Sequence, residues 1–193
     1  MLIARKVFLV IALIFSILFL LHSAQDNNEK SIFQNSIPQK RVLGAVSIGI
    51  PARLIIPAIN VDANIQYVGV TPKGAMEVPN NTSDVGWFKL GSRPGKKGSA
   101  VISGHFDGKN GEPAVFTNLN KLKKGDKLYI KDDKGISIAF VVRESRIYNP
   151  GYADEVFSLN DGTHLNLVTC DGVWDGTKKS FTKRLVVFAD IMH

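Results

Sequence analysis

Eight short apolar runs follow one another along the chain from Ala52 to the C-terminus: "ARLIIP", "NIQYV", "AMEVP", "SAVISGH", "KLYIKD", "ISIAFVVRESRIY", "LNLVTC" and "RLVVFADIM". They are rich in β-branched and aromatic residues, and several alternate with polar positions, the period of a strand with one buried face. Clusters of Gly, Pro, Asn and Asp such as "TPKG", "SRPGKKG" and "KDDKG" separate them. The last predicts a tight hairpin joining 127–131 to 136–142. One stretch, "EPAVFTNLNKLKKG", predicts a helix, with Pro113 early, Phe116, Leu119 and Leu122 three apart, and Gly125 as a stop. Eight short strands and little helix indicate an all-β barrel or sandwich.

The N-terminus follows another pattern. "MLIARK" precedes "VFLVIALIFSILFLL", a run from Val7 to Leu21 without a charge, and Asp26 and Glu29 follow it. Arg5 and Lys6 before the run predict a cytoplasmic N-terminus. The run is longer than most signal-peptide cores and short for a membrane span of about 20 residues. Cleavage after Ala24 would place His22 where a small residue belongs. Residues 1–24 are therefore expected to be an uncleaved signal anchor, with a cleaved signal peptide as the alternative. Residues 25–49 turn polar and lose periodicity, as in a spacer. Residues 50–193 form the expected exported domain, on a protein of the cell membrane that spans it once.

Composition narrows the function classes. At 45% hydrophobic and 21% charged, the chain is globular in character. Its net charge of +7 is divided as +3 over residues 1–50 and +4 over the remainder. The basic clusters "KLKKGDK" and "TKKSFTKR" lack interleaved aromatics, which argues for solvated loops rather than nucleic-acid binding. A metal site is not expected, because no CxxC, HxxxH or acidic cluster has ligand spacing, and Asp62, Asp84 and Asp107 form no calcium loop. No cofactor is implied.

Candidate chemistry gathers at strand ends. Cys170, the single cysteine, ends "LNLVT" and is followed by Asp-Gly; His105 follows "AVISG"; Arg184 opens "LVVFAD". A lone cysteine outside the cytoplasm has no internal disulfide partner. A thiolate attacks carbonyls, and a nearby cation lowers its pKa. A histidine can move the proton, and an arginine can steady an oxyanion. Each residue also has a plainer role open to it: an inert core thiol, a turn-bonding histidine, a surface charge. His164 is expected to be an exposed strand start.

With these residues in view, the sequence resembles the sortases, membrane-anchored cysteine transpeptidases of Gram-positive-type bacteria. The family pattern Thr-Leu-x-Thr-Cys is met by "NLVTC" at Leu167, Thr169 and Cys170 and departs at Asn166. The family histidine and arginine fall on His105 in "VISGH" and on Arg184. "RLIIPAINVDANIQYVG" is similar to the first barrel strands, and "MEVPNNTSDVGWF", "PGKKGSAVISGHFDG" and "AVFTNLNKLKKGD" look most like class F, with classes D and E as neighbours. The resemblance implies a closed eight-stranded β-barrel with one short helix. It implies a thiol peptidase of the hydrolase class that cuts an LPxTG-like sorting signal through a Cys170 thioester. The acyl group would pass to an amine of a peptidoglycan precursor or a pilin-like protein. Thr169 and Trp174 are the expected substrate contacts, and 171–183 the expected mobile loop over the substrate groove.

Two other classes compete with this one. An L,D-transpeptidase-like wall cross-linker would carry Ser-x-Gly-Cys-Arg, whereas Cys170 lies between "LVT" and Asp171. A non-catalytic tethered β-domain that binds wall components would leave the His, Cys and Arg placement to coincidence. The anchor reading makes its own prediction. Full-length protein should fractionate with membranes, keep its N-terminus intact on sequencing, and expose its domain to added protease; secreted protein starting near Gln25 would replace the anchor by a signal peptide.

Overall fold

The computed structural model describes residues 47–192 except Tyr152. The expected anchor and most of the expected linker lie outside the described residues. Among the described residues no helix is long and apolar enough to cross a membrane.

Alternation decides the first strands. β1 (Pro51–Ile56) turns Leu54 and Ile56 inward, and β2 (Val61–Val68) turns in Val61, Ala63 and Ile65. A single 3-10 turn, Pro57–Ile59, joins them, and Asn60 takes the left-handed conformation at its end. The strands that follow are β3 (Val85–Phe88), β4 (Gly98–Ser103), β5 (Lys127–Asp132), β6 (Ser137–Tyr148), β7 (Thr163–Asp175) and β8 (Ser180–Ile191), with a four-residue helix α1 (Asp154–Phe157) between β6 and β7. They close into a barrel in the order β1-β2-β3-β4-β7-β8-β6-β5. The pairs β2–β3 and β4–β7 are parallel, and all the others are antiparallel. The eight-stranded barrel with one short helix is the architecture the sequence led us to expect.

Two cores hold it. The barrel interior packs Leu54, Ile102, Phe116, Leu128, Phe140, Leu167 and Val187 among others. A second cluster, Val101, Val156, Val186 and Phe188 with Val168, Phe88 and Phe157 against it, covers the outer face of β4, β7 and β8 beneath α1. Burying each such side chain stabilises the fold by about 1.5–3 kcal/mol before chain entropy is counted.

Four local expectations are corrected. "AMEVP" forms no strand, only the isolated bridge Val70↔Met76. Its Glu77 carboxylate accepts the Gly69 N–H at 2.8 Å, so the segment folds back on the end of β2. The strand that takes its place, "VGWF", is too short and too evenly buried to alternate. The expected helix at 112–125 is a series of turns with one 3-10 element, Leu119–Lys121. Its apolar residues recur every three positions, the 3-10 period, and Leu119 and Leu122 each donate to the carbonyl three residues back. His164 is buried, not exposed: its ring lies between Asp161 and Asp190, 2.9 and 2.8 Å away. Residues 171–183 are no free loop either. Asp171↔Lys183 and Trp174↔Phe181 are cross-strand pairs, so β7 and β8 run out together as a hairpin. Gly172, at φ 81°, permits the bulge between them.

The "KDDKG" hairpin forms as expected, and it does more than turn the chain. Asp132 is 4% exposed, and its carboxylate accepts N–H groups from Gly49, Lys134 and Ile136 at 2.6, 3.0 and 2.7 Å. Burial alone would push its pKa up; these donors, with the Lys134 charge, outweigh that and hold it below the usual carboxylate range. Because the folded pKa is lowered, the contribution is present above the unfolded carboxylate pKa of about 3.9 and is lost as pH falls through the folded one. Thermal unfolding followed from pH 6 to pH 2 should show Tm falling below about pH 4. Asp132→Asn should lower Tm at pH 6 and flatten that fall; an unchanged pH dependence in the variant would show that Asp132 does not carry it.

Candidate active site

The sheet register brings together the three residues singled out in the sequence. Cys170 on β7 stands directly opposite Arg184 on β8, and Arg184 is in turn opposite Tyr148 on β6. On the other side of β7, β4 runs parallel to it up to Ser103↔Val168. The Gly104 N–H donates to the Val168 carbonyl at 3.1 Å, carrying the ladder one residue further, so His105 emerges beside Cys170. Leu165, Leu167, Leu185 and Val187 point into the barrel, whereas Val186 and Val168 belong to the outer cluster. By alternation Cys170 and Arg184 fall on the outer face, next to Val168 and Val186.

Local chemistry explains why "GH" stands here. A Cβ on Gly104 would come within 2.5 Å of the Phe116 ring, which is fully buried. Only glycine allows that approach. The Phe116 N–H then donates to the His105 carbonyl at 2.9 Å, and the Thr117 hydroxyl donates to the Phe106 carbonyl. The failed helix is therefore a brace for the histidine. His105 Nε2 lies 2.8 Å from the Pro79 carbonyl, an acceptor only, so Nε2 carries the proton. In the neutral ring Nδ1 is then a proton acceptor.

Arg184 is held through its own strand and hairpin. Its guanidinium donates to the carbonyls of Phe181 and Lys183 and to the Ser180 hydroxyl, at 3.0, 2.7 and 3.0 Å. Among the described residues it meets no carboxylate. Arg146, two residues along β6 from Tyr148, is committed to Glu144 and Glu155, and Arg143, toward the far end of the sheet, to Asp190. The Cys170 thiol is half-buried. Burial pushes its pKa up, Arg184 pulls the other way, and the Asp107 carboxylate adds to the upward push. The net direction is up, which corrects the expectation that a neighbouring cation would leave a lowered pKa.

Thr169, the first of the expected substrate contacts, is turned away from solvent. It is 3% exposed, and its hydroxyl donates to the Gly104 carbonyl at 2.8 Å, tying β7 to the residue before His105. Asn166, the departure from the family pattern, is fully buried and donates to the Val156 carbonyl at 2.6 Å, which fastens α1 to the sheet. Trp174 is 55% exposed and meets Phe181 edge-on at 5.4 Å; Phe181 meets Phe106 in the same way at 5.7 Å. These rings link the hairpin to the loop after His105. A cleft of about 590 Å³ opens there, between Pro79–Thr82 and the hairpin, with His105 and Asp107 in its lining. Asp107, which the sequence marks only as outside any calcium loop, and Phe181 have position as their one signal of a place in the site, two residues after His105 and three before Arg184.

The barrel has counterparts among known proteins. The family model of the sortase domain matches residues 54–192. The chain belongs to the sortase family of cysteine transpeptidases. Among solved structures it is similar to sortase C-1 of Actinomyces oris: 25% identity, 74% of this chain and 73% of that one covered, TM-score 0.60. It is also similar to sortase C1 of Streptococcus agalactiae in complex with MTSET: 28% identity, 74% and 67% covered, TM-score 0.57. A third is a pilus-related sortase C of Group B Streptococcus: 26% identity, 77% and 69% covered, TM-score 0.58. No curated protein matches the chain. The comparisons place the chain in the family without assigning it to class F.

The thiol's surroundings yield a pH prediction. Alkylation of Cys170 by a neutral electrophile follows the thiolate, so its rate should reach half-maximum above the ordinary thiol pKa of about 8.5. Arg184→Ala should move that midpoint up, and Asp107→Asn should move it down. A parent midpoint at or below 8.5 would contradict the burial argument.

Proposed function

We propose that the domain cuts an LPxTG-like sorting signal and joins its acyl part to an amine, with Cys170 as nucleophile, His105 as general acid and base, and Arg184 as oxyanion and substrate clamp. The observation that carries this reading is that Cys170 on β7 stands opposite Arg184 on β8, while His105 comes one residue after the Gly104–Val168 hydrogen bond that extends β4 along β7. There a thiol has a proton carrier on one side and a carboxylate-free cation on the other.

Deprotonation of Cys170, with the proton going to His105, gives the attacking thiolate. The tetrahedral oxyanion formed at the Thr carbonyl lies within the field of Arg184, whose planar fork suits it better than an ammonium would. Collapse breaks the Thr–Gly bond, and His105 protonates the departing glycyl amine. The thioester left on Cys170 passes to an incoming amine, with water as the slow alternative. The exposed ring of Trp174 offers an apolar wall for an extended peptide. The barrel stands on the residue 1–24 anchor outside the membrane, acting on surface proteins and on a peptidoglycan precursor or pilin-like amine. The class F likeness of "VISGHFDG" is the subclass we favour.

Mass spectrometry of the domain incubated with LPxTG-like peptides should show an acyl-enzyme on Cys170. Cys170→Ala should abolish cleavage while keeping the fold. His105→Ala and Arg184→Ala should each lower kcat/KM by at least about a hundredfold, and Arg184→Lys should recover only part of that loss. Equal kcat/KM for peptides with Leu, Pro or Thr changed to Ala would remove the substrate assignment; cleavage by Cys170→Ala would remove the nucleophile.

A further inference from the structure

The thiol is flanked by opposite charges. Arg184 stands opposite it on β8, and Asp107 follows β4 two residues beyond His105; their charges act on the thiol in opposite senses. Asp107 is half-buried and, among the described residues, makes no ion pair and no side-chain hydrogen bond. It shares the lining of the cleft with His105, Trp174 and Phe181; Cys170 does not line the cleft itself, and His105 is the lining residue that adjoins it along the sheet. The loop that carries it is held at both ends: the Gly108 N–H donates to the Glu112 carbonyl at 2.8 Å, and Asp107 forms an isolated bridge with Pro113. Lys109, also in the lining, makes no ion pair with Asp107. A cleft of this size, with an unpaired carboxylate next to a proton carrier, selects a cation that brings a proton to give up.

We propose that this cleft is the entry site of the second substrate and that Asp107 is the counter-ion for its primary ammonium group. The assignment rests on the acyl-transfer reading above and adds to it where the acceptor binds and what charge it must carry. The ammonium enters on the His105 side while the acyl chain lies toward Arg184. It gives one proton to solvent at the cleft mouth, and the freed amine nitrogen attacks the thioester carbonyl. The N–C bond forms, the C–S bond breaks, and the second proton passes through His105 to the leaving sulfur of Cys170. The products are an amide and the free thiol. Asp107 is thus a specificity residue for the acceptor; it does not touch the acyl donor.

The test loads Cys170 with p-nitrophenyl acetate, which needs no sorting motif, and follows how the acetyl-enzyme divides between water and an added nucleophile at pH 7. Glycylglycinamide is the cationic probe, since an α-amino group titrates near 7.7–8.0. Hydroxylamine is the uncharged probe. The amide-to-acetate product ratio is fixed after loading, so it does not depend on the thiol's own reactivity. Asp107→Asn should lower the ratio for glycylglycinamide by about five- to tenfold, the scale of one partly exposed charge contact, and leave the hydroxamate ratio as in the parent. Asp107→Glu, which keeps the charge, should restore most of the loss. Equal glycylglycinamide ratios in parent and Asp107→Asn would overturn the assignment, as would an equal fall for both nucleophiles. Loss of LPxTG recognition with a normal burst and an Asp107-dependent ratio would fault the donor reading alone. Absence of a p-nitrophenolate burst in the parent would remove Cys170 as nucleophile and this site with it.

Discussion

Because β4 and β7 run parallel and in register from Gly98↔Thr163 to Ser103↔Val168, whatever follows each strand emerges at the same end of the barrel, side by side. His105 follows β4 there, and Cys170 lies on β7 two residues past Val168, the last residue paired with β4. Had the strands been antiparallel, the histidine and the thiol would stand at opposite ends. Parallel pairing also requires a long return connection. Here it includes β5, β6 and the crossover with α1, and that crossover supplies Val156 to the outer cluster. The same topological constraint therefore builds the site and roofs the sheet below it.

The barrel is unevenly dressed as a result. β1, β2 and β5 alternate between buried and exposed positions, as a sheet with one wet face should. β4 is buried at every position, and β8 buries five successive residues from Leu185 to Ala189. The reacting end lies on the doubly covered half. This placement accounts for the thiol's upward shift: the second core that steadies β7 and β8 also takes water away from the sulfur between them. A resting thiol is the consequence, and the arginine opposite it offsets only part of that cost.

How much of this could be read from the sequence depends on which physical signal each element carries. Strands with one wet face, such as Pro51–Ile56 and Lys127–Asp132, announce themselves by alternation. Val85–Phe88 does not, because all but its last residue are buried and it carries a glycine. The run at Phe116, Leu119 and Leu122 has a spacing shared by α and 3-10 geometry, and hydrogen bonds three residues apart decide for the latter. Residues 171–183 look like a loop until Trp174 and Phe181 are seen to face each other across a hairpin. His105, Cys170 and Arg184 were legible because turn-bounded strand ends mark them. Asp107 was not, since nothing local distinguishes an aspartate in "HFDG" from a turn residue. Nor was the burial of His164, which depends on Asp190, 26 positions away.

The chain enters the domain at the far end from the site. Gly49 and Ile50 are bonded to Asp132 and Asp133 in the β5–β6 turn, and Arg93 donates to the carbonyls of Ile48 and Gly49. β1 begins there, whereas β4 and β7 end, and β8 begins, at the other rim. A pull applied at Ser47 is thus borne first by the aspartate clamp, then by the β1–β5 and β1–β2 ladders. The three strands that hold the thiol, the imidazole and the guanidinium are not in that line of force. Mechanically, a pull on the domain at Ser47 loads its heel, and tension reaches the reacting groups last.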